Sequence, residues 1–239
     1  MPPQHELVVV VDLGAQYAQL IARRVREQRV YCRVVRHDIS PAALAKENLK
    51  GIILSGGPAS VYAPGAPRVD PGLFALGVPV LGICYGLQLS VHLLGGKVLK
   101  ARPREYGPAV IRRRAPSRRL KGLPAALPVW MSHGDSVTKL PRGMRRVASS
   151  PDCPLAVAEA PERGLYGLQF HPEVAHTPQG KALLANFLYE ICGCRGTWTP
   201  GNFVAEAISN IRGQVGSGKV ICALSGGVDS AVTATLVHR

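Results

Sequence analysis

The chain has few aromatics, 5% of its 239 residues, and few acidic groups, 15 Asp and Glu against 29 Lys and Arg. It has no run of about 18 apolar residues, the length a membrane-spanning helix needs. Its first residues, Met1-Pro2-Pro3-Gln4-His5-Glu6, lack the basic patch and apolar stretch of a signal peptide. The six cysteines (32, 84, 153, 192, 194 and 222) are too scattered for a disulfide framework. They read as reduced thiols in a cytoplasm. Internal repeats and low-complexity segments are also missing. Secreted, fibrous and membrane classes are thereby excluded. What is plentiful is core material: 46% of residues are hydrophobic and only 18% charged, which excludes a disordered chain.

The excess positive charge is local. Residues 97–146 hold 14 basic and 2 acidic groups, which is +12 of the formal +14, and include Arg112-Arg113-Arg114 and Arg118-Arg119. An anionic partner would suit this stretch: a nucleotide, a nucleic acid or a neighbouring domain. A solvated face is the plainer reading, because only Tyr106 and Trp130 offer aromatic surface for base stacking.

Residues 7–13, Leu-Val-Val-Val-Val-Asp-Leu, form an unbroken apolar run that suits a strand buried on both faces. Helical spacing follows over 15–28. Further strands are predicted at 30–36, 51–55 and 78–82, with a short helical piece near 41–47 and an apolar helix over 87–94. This alternation predicts an α/β fold: a mostly parallel open sheet flanked by helices. From about 98 to 170 the texture changes to short strands (127–131, 153–158 and 164–170), which predicts an antiparallel extension. A helix over 179–191 closes a domain spanning 7–192. Residues 193–202 are rich in breakers and read as a linker, and Cys192 and Cys194 around its start are plain thiols rather than a metal pair. Residues 203–239 open a second α/β unit: a helix (203–212), a glycine-rich turn, a strand (219–224) and a helix from 229. That unit is begun and not completed, so a longer protein is expected.

Three short motifs carry chemistry. Gly82-Ile83-Cys84-Tyr85-Gly86 lies between a strand and a helix, where a tight turn needs small neighbours and pushes the central side chain outward. The turn places the Cys84 sulfur at a helix N-terminus, whose dipole and free amides favour the reactive thiolate. Ser55-Gly56-Gly57-Pro58 ends the neighbouring strand, and its glycines let backbone amides face a substrate; with the amide of Tyr85 they could hold an oxyanion. Phe170-His171-Pro172-Glu173 ends another strand. Residues two apart share a side there, so Glu173 can orient the imidazole of His171. Together these motifs spell a nucleophile, a base and its orienter on one sheet edge.

Gly-Ile-Cys-Tyr-Gly-Leu-Gln at 82–88, with Ser-Gly-Gly-Pro at 55–58 and Phe-His-Pro-Glu at 170–173, resembles the class I (triad-type) glutamine amidotransferases over about residues 7–192. The resemblance implies that Cys84, His171 and Glu173 are catalytic and that the amides of Gly57 and Tyr85 form the oxyanion hole. It also implies that Gln88 and Ser132-His133-Gly134-Asp135 hold glutamine.

Beyond the linker, Val220–Leu224 runs into Ser225-Gly226-Gly227-Val228-Asp229-Ser230, a strand–turn–helix anion site. It resembles the pyrophosphate loop of ATP pyrophosphatases, which implies ATP binding at Ser225, Gly226, Gly227, Val228, Asp229 and Ser230, with Mg2+ on Asp229. Gly213–Lys219 imitates a P-loop, but it ends in Val220 and precedes a strand; it reads as a turn. With Arg104-Glu105-Tyr106-Gly107 and the lead-in of Trp198, Phe203 and Ile211-Arg212, the whole resembles amidotransferases that aminate xanthosine 5′-monophosphate to GMP. That resemblance implies glutamine, ATP and xanthosine 5′-monophosphate as substrates and no permanently bound cofactor. It further implies a C-terminal synthetase domain, a homodimer at full length and weak glutaminase activity in this chain alone. The amidotransferase half of another biosynthetic synthase, and a retired amidotransferase fold that binds nucleic acid, are the competing readings. The first leaves 219–230 unexplained. The second leaves no use for Cys84, His171 and Glu173.

Overall fold

The computed structural model describes residues 5–239, apart from the side chains of Arg102 and Pro103. They divide into two compact units, His5–Gly196 and Thr197–Arg239, each described by itself.

In the larger unit nine strands make one sheet in the order β2-β1-β3-β4-β9-β8-β7-β5-β6. The strands β1 (Leu7–Asp12), β2 (Tyr31–Arg36), β3 (Leu49–Leu54), β4 (Val80–Ile83) and β9 (Leu165–Leu168) run parallel. Beyond β9 the pairing turns antiparallel through β8 (Val157–Ala160), β7 (Arg145–Ser149), β5 (Lys97–Arg113) and β6 (Ala126–Lys139). The predicted mixed α/β class holds.

The apolar run of β1 is explained by its two covered faces. Val8 and Val10 join one core with helix α1 (Ala18–Glu27) and helix α4 (Gly180–Ala185), while Val9 and Val11 join another with α3 (Tyr85–Leu93). A strand between two helical layers has no solvent side to vary, so polar alternation is lost. The short α2 (Pro41–Leu44) starts at Ser40, whose hydroxyl accepts the Ala43 amide, with proline at the first helical position.

Two expectations need correction. Between 98 and 170 the structure has two long strands, β5 of 17 residues and β6 of 14, paired along almost their whole length. Gly107, Pro108 and Pro128 disguise them in the sequence. The pairing survives because Pro128 lies in β6, the edge strand, and because β7 pairs with β5 only at Arg112 and Arg113, away from Pro108. In the smaller unit, helices α5 (Pro200–Val215) and α6 (Val228–His238) form, but 219–224 is not a strand. A strand needs a neighbour for its backbone groups, and Thr197–Arg239 contains none; Ile221 is 99% exposed.

Arg119, in a 3-10 turn (Arg118–Leu120), is fully buried, and none of its guanidinium nitrogens has a hydrogen-bond partner among the described residues. Burial lowers its pKa to about 10, against the pull of nearby Glu159. Glu159 is held independently by Ser117 (2.5 Å) and Arg145 (2.5 Å). Arg119→Met therefore removes a buried, unpaired charge without orphaning a carboxylate. It is expected to stabilise the unit by about 1–2 kcal/mol in denaturant unfolding. A loss of comparable size would show that the guanidinium is paired in solution.

Candidate active site

A cleft of about 660 Å³ opens at the carboxyl ends of the parallel strands, and Gly57, Cys84, Gln88, Ser132–Asp135 and His171 all line it. Ligands gather at this edge of open α/β sheets, because strand ends there give way to loops and helix N-termini.

Cys84 sits between β4 and α3 with φ +49° and ψ −106°; Cys84 and Arg29 are the non-glycine residues with positive φ among those described. Such a backbone costs on the order of 1–3 kcal/mol and persists only where its surroundings enforce it. The flanking glycines explain the enforcement. A Cβ on Gly82 would lie 2.5 Å from the Leu87 nitrogen, and one on Gly86 would lie 2.4 Å from the Leu54 oxygen. The turn closes only if both side chains are missing. Tyr85 is the first helical residue, so its amide has no intrahelical acceptor.

At the end of β3, Ser55 ties two strand ends together: its hydroxyl accepts the Leu13 amide (2.9 Å) and donates to the Gly56 carbonyl (2.9 Å). A Cβ on Gly56 would come within 3.0 Å of His171 Cε1, and one on Gly57 within 2.5 Å of the Leu13 carbonyl oxygen. Both glycines are there for close approach.

His171 and Glu173 do not continue a strand. β9 ends at Leu168 and the backbone bends through 169–174, yet His171 Nδ1 lies 2.8 Å from Glu173 Oε1. The bend is held from several sides. The His171 amide donates to Trp130, Thr177 donates its hydroxyl to the His171 carbonyl (2.6 Å), and Arg24 Nε donates to the Glu173 carbonyl (3.1 Å). With Nδ1 on Glu173, Nε2 is the ring nitrogen left for the Cys84 sulfur in the same cleft. Burial opposes charge on this imidazole, but Cys84 and Glu173 together outweigh it and raise the pKa to about 10.

Gln88 is buried, and its side-chain nitrogen donates to the Asp135 carbonyl (2.7 Å), while the Cys84 thiol donates to the Ser132 carbonyl (3.5 Å). Segment 132–135, in β6, is thus stitched both to α3 and to the turn before it. His133 is turned inward: its Nδ1 meets the Ser136 hydroxyl (3.3 Å), and burial lowers its pKa to about 4.

The sequence reading missed Gln169, fully buried between Gln88 (3.4 Å) and the Cys84 sulfur (3.8 Å), and Tyr17, whose ring meets His171 edge-on at 6.1 Å. A glutamine just before Phe-His-Pro-Glu was the available signal. Ser225–Ser230 lies in the smaller unit. There the Ser225 and Ser230 hydroxyls are 3.2 Å apart, and Asp229 stands in the first turn of α6.

The parallel sheet, the strained cysteine turn and the buried His–Glu pair define a class of protein. Residues 9–191 match the family model for Glutamine amidotransferase class-I, and the chain belongs to that family. Over its full length it is 53% identical to GMP synthase [glutamine-hydrolyzing] of Heliobacterium modesticaldum, covering 47% of that protein. It is 54% identical over 237 residues to the enzyme of the same name from Thermomicrobium roseum, covering 45% of it. The chain thus spans about half the length of these curated relatives. A solved Thermoplasma acidophilum structure, provisionally assigned as one subunit of a GMP synthase, superposes with a TM-score of 0.67 at 32% identity, covering 79% of this chain and 94% of that one. A Thermotoga maritima glutamine amidotransferase shares the fold (TM-score 0.60, 20% identity, 79% of this chain and 98% of that one).

Proposed function

We propose that the chain hydrolyses glutamine with a Cys84–His171–Glu173 triad and supplies the ammonia for ATP-dependent amination of xanthosine 5′-monophosphate to GMP. One observation carries the first half: a single cleft holds a cysteine forced into a strained turn and a histidine braced by a buried carboxylate. The second half rests on identity to GMP synthases across the whole chain, loop 225–230 included.

In this reading the Cys84 proton has passed to His171, and the thiolate attacks the carboxamide carbon of glutamine. The amides of Gly57 and Tyr85 hold the negative charge that gathers on the amide oxygen. His171 gives its proton to the departing ammonia, leaving a glutamyl thioester. The neutral ring, held by Glu173, then takes a proton from water, which attacks the thioester and frees glutamate. Gln88 and the main chain of Ser132–Asp135 hold the glutamine, Tyr17 joins them as a wall of the cleft, and Gln169 supports Gln88 from behind.

Loop 225–230 would take phosphates of ATP. Two close hydroxyls and the free amides at the start of α6 suit an anion, and Asp229 offers a carboxylate for Mg2+, which would offset phosphate charge. No described helix is long and apolar enough to cross a membrane, and a cytoplasmic homodimer at the length of the relatives completes the proposal.

The test is ammonia release from glutamine, by this chain and by a polypeptide extended to the relatives' length, with and without ATP and xanthosine 5′-monophosphate. Weak release from the chain is expected, with nucleotide-stimulated release and GMP formation from the longer protein. Release indifferent to nucleotides would keep the amidotransferase and remove the purine acceptor. Tight, salt-sensitive binding of an arbitrary DNA duplex without release would favour the nucleic-acid reading.

A further inference from the structure

Behind the wall of the cleft, two buried side chains and one half-buried carboxylate converge from three elements. Glu105 on β5 and His133 on β6 are direct cross-strand partners, so their side chains leave the same face of the sheet. Cys153 belongs to a tight turn in which its amide donates to the Ser150 hydroxyl (2.9 Å) and the Ser150 amide donates to the Cys153 carbonyl (2.9 Å). One nitrogen, one oxygen and one sulfur, from His133, Glu105 and Cys153, all lie within 4.8 Å of one another.

Two atoms of this cluster lack a hydrogen bond, although Glu105 Oε1 accepts from the Ser150 hydroxyl (3.5 Å). His133 Nε2 and Glu105 Oε2 are 3.2 Å apart, with side-chain exposures of 1% and 13%, yet neither makes an aligned hydrogen bond among the described residues. Buried polar atoms normally find partners, and two this close without an aligned hydrogen bond need a reason. The Ser136 hydroxyl on Nδ1 fixes the ring so that Nε2 faces the cluster, the outer-shell arrangement typical of metal-binding histidines.

From this convergence we infer that Glu105, His133 and Cys153 form a site for one borderline-soft divalent cation of the zinc type, on the wall behind the glutamine cleft. The mixed N, O and S donors fit zinc or cobalt and are a poor match for magnesium or calcium, which take oxygen. Binding expels the Cys153 thiol proton to solvent and leaves the thiolate on the metal. Without a cation, burial drives all three groups toward their uncharged forms: Cys153 up to about 12, Glu105 upward and His133 down to about 4. A cation would reverse that for the thiol and the carboxyl. It would also clamp β5 to β6 beside Ser132, whose carbonyl receives the Cys84 thiol.

Cobalt(II) reports the site directly, because a bound thiolate gives a ligand-to-metal absorption band in the near ultraviolet. Metal-free protein titrated with cobalt should develop that band to a stoichiometry of one, and zinc should erase it. Cys153→Ser should abolish the band, whereas Cys84→Ser should retain it. Zinc should also raise the melting temperature of wild type and of Cys84→Ser, and leave that of Cys153→Ser unmoved. No band in the wild type overturns the inference. So does a band that survives Cys153→Ser and disappears in Cys84→Ser, since the metal would then sit on the thiol of the cleft.

Discussion

Cys84→Ala should cut glutamine hydrolysis by at least about 10⁴-fold while leaving the fold intact. The argument begins in the backbone. At φ +49° an alanine meets the same steric penalty as a cysteine, so the turn and both glycine contacts around it are unchanged. Only the sulfur is removed, and with it the atom that would carry the glutamyl group. Cys84→Gly goes further. It should be equally inactive yet more stable, by about 1 kcal/mol, because glycine adopts this conformation without strain. Ammonia release and thermal unfolding of the two variants side by side separate chemistry from folding. Hydrolysis surviving in both would mean the sulfur is not the nucleophile. A glycine variant less stable than wild type would mean the turn is not strained by its side chain. The pairing tests whether stability is given up at this position to aim a reactive group.

The parts of the molecule legible in the sequence are those whose local rule agrees with the tertiary outcome. The apolar run at 7–13 predicts a doubly buried strand because both faces of β1 are covered by helices. Gly82, Gly86, Gly56 and Gly57 predict close approach, and the distances to Leu87, Leu54, His171 and Leu13 are the steric reason for each. Where a rule depends on a distant neighbour, the reading weakens. Pro108 and Gly107 look like breakers, and only their pairing with Trp130 and Met131 reveals a strand. Residues 219–224 look like a strand on propensity alone, but the unit holding them supplies no partner. Gln169 is invisible for a similar reason: its role is set by Gln88, 81 residues away, and by Cys84, 85 residues away. Spacing alone puts Glu173 beside His171 through an extended geometry that the chain does not adopt. The bend at 169–174, held by Thr177 and Arg24, brings the two together by another path.

That bend leads to the second large effect. Glu173→Gln should lower kcat/KM for glutamine by roughly 10²–10⁴-fold and move the alkaline limit of activity to lower pH. Glu173 is almost fully buried; Oε1 holds His171 Nδ1 at 2.8 Å, and Oε2 has no partner among the described residues. Glutamine can still present an oxygen to Nδ1–H, so orientation is partly kept and the charge is what disappears. The sign follows from the imidazole. Its folded pKa is raised from 6.5 to about 10: burial pulls it down, while Cys84 and Glu173 more than compensate. The stability this charge contributes is therefore fully present below about pH 6.5 and lost as pH rises through about 10. Removing the carboxylate removes part of what holds the proton, so the ring deprotonates at lower pH. The proton owed to the departing ammonia is then missing sooner on the alkaline side. A pH profile of kcat/KM for both proteins, each checked for folding across the same range, decides the matter. A reduced rate with an unmoved alkaline limit would make Glu173 a support for the ring and nothing more. A shifted limit makes its charge part of the chemistry, because geometry alone has no titration to shift.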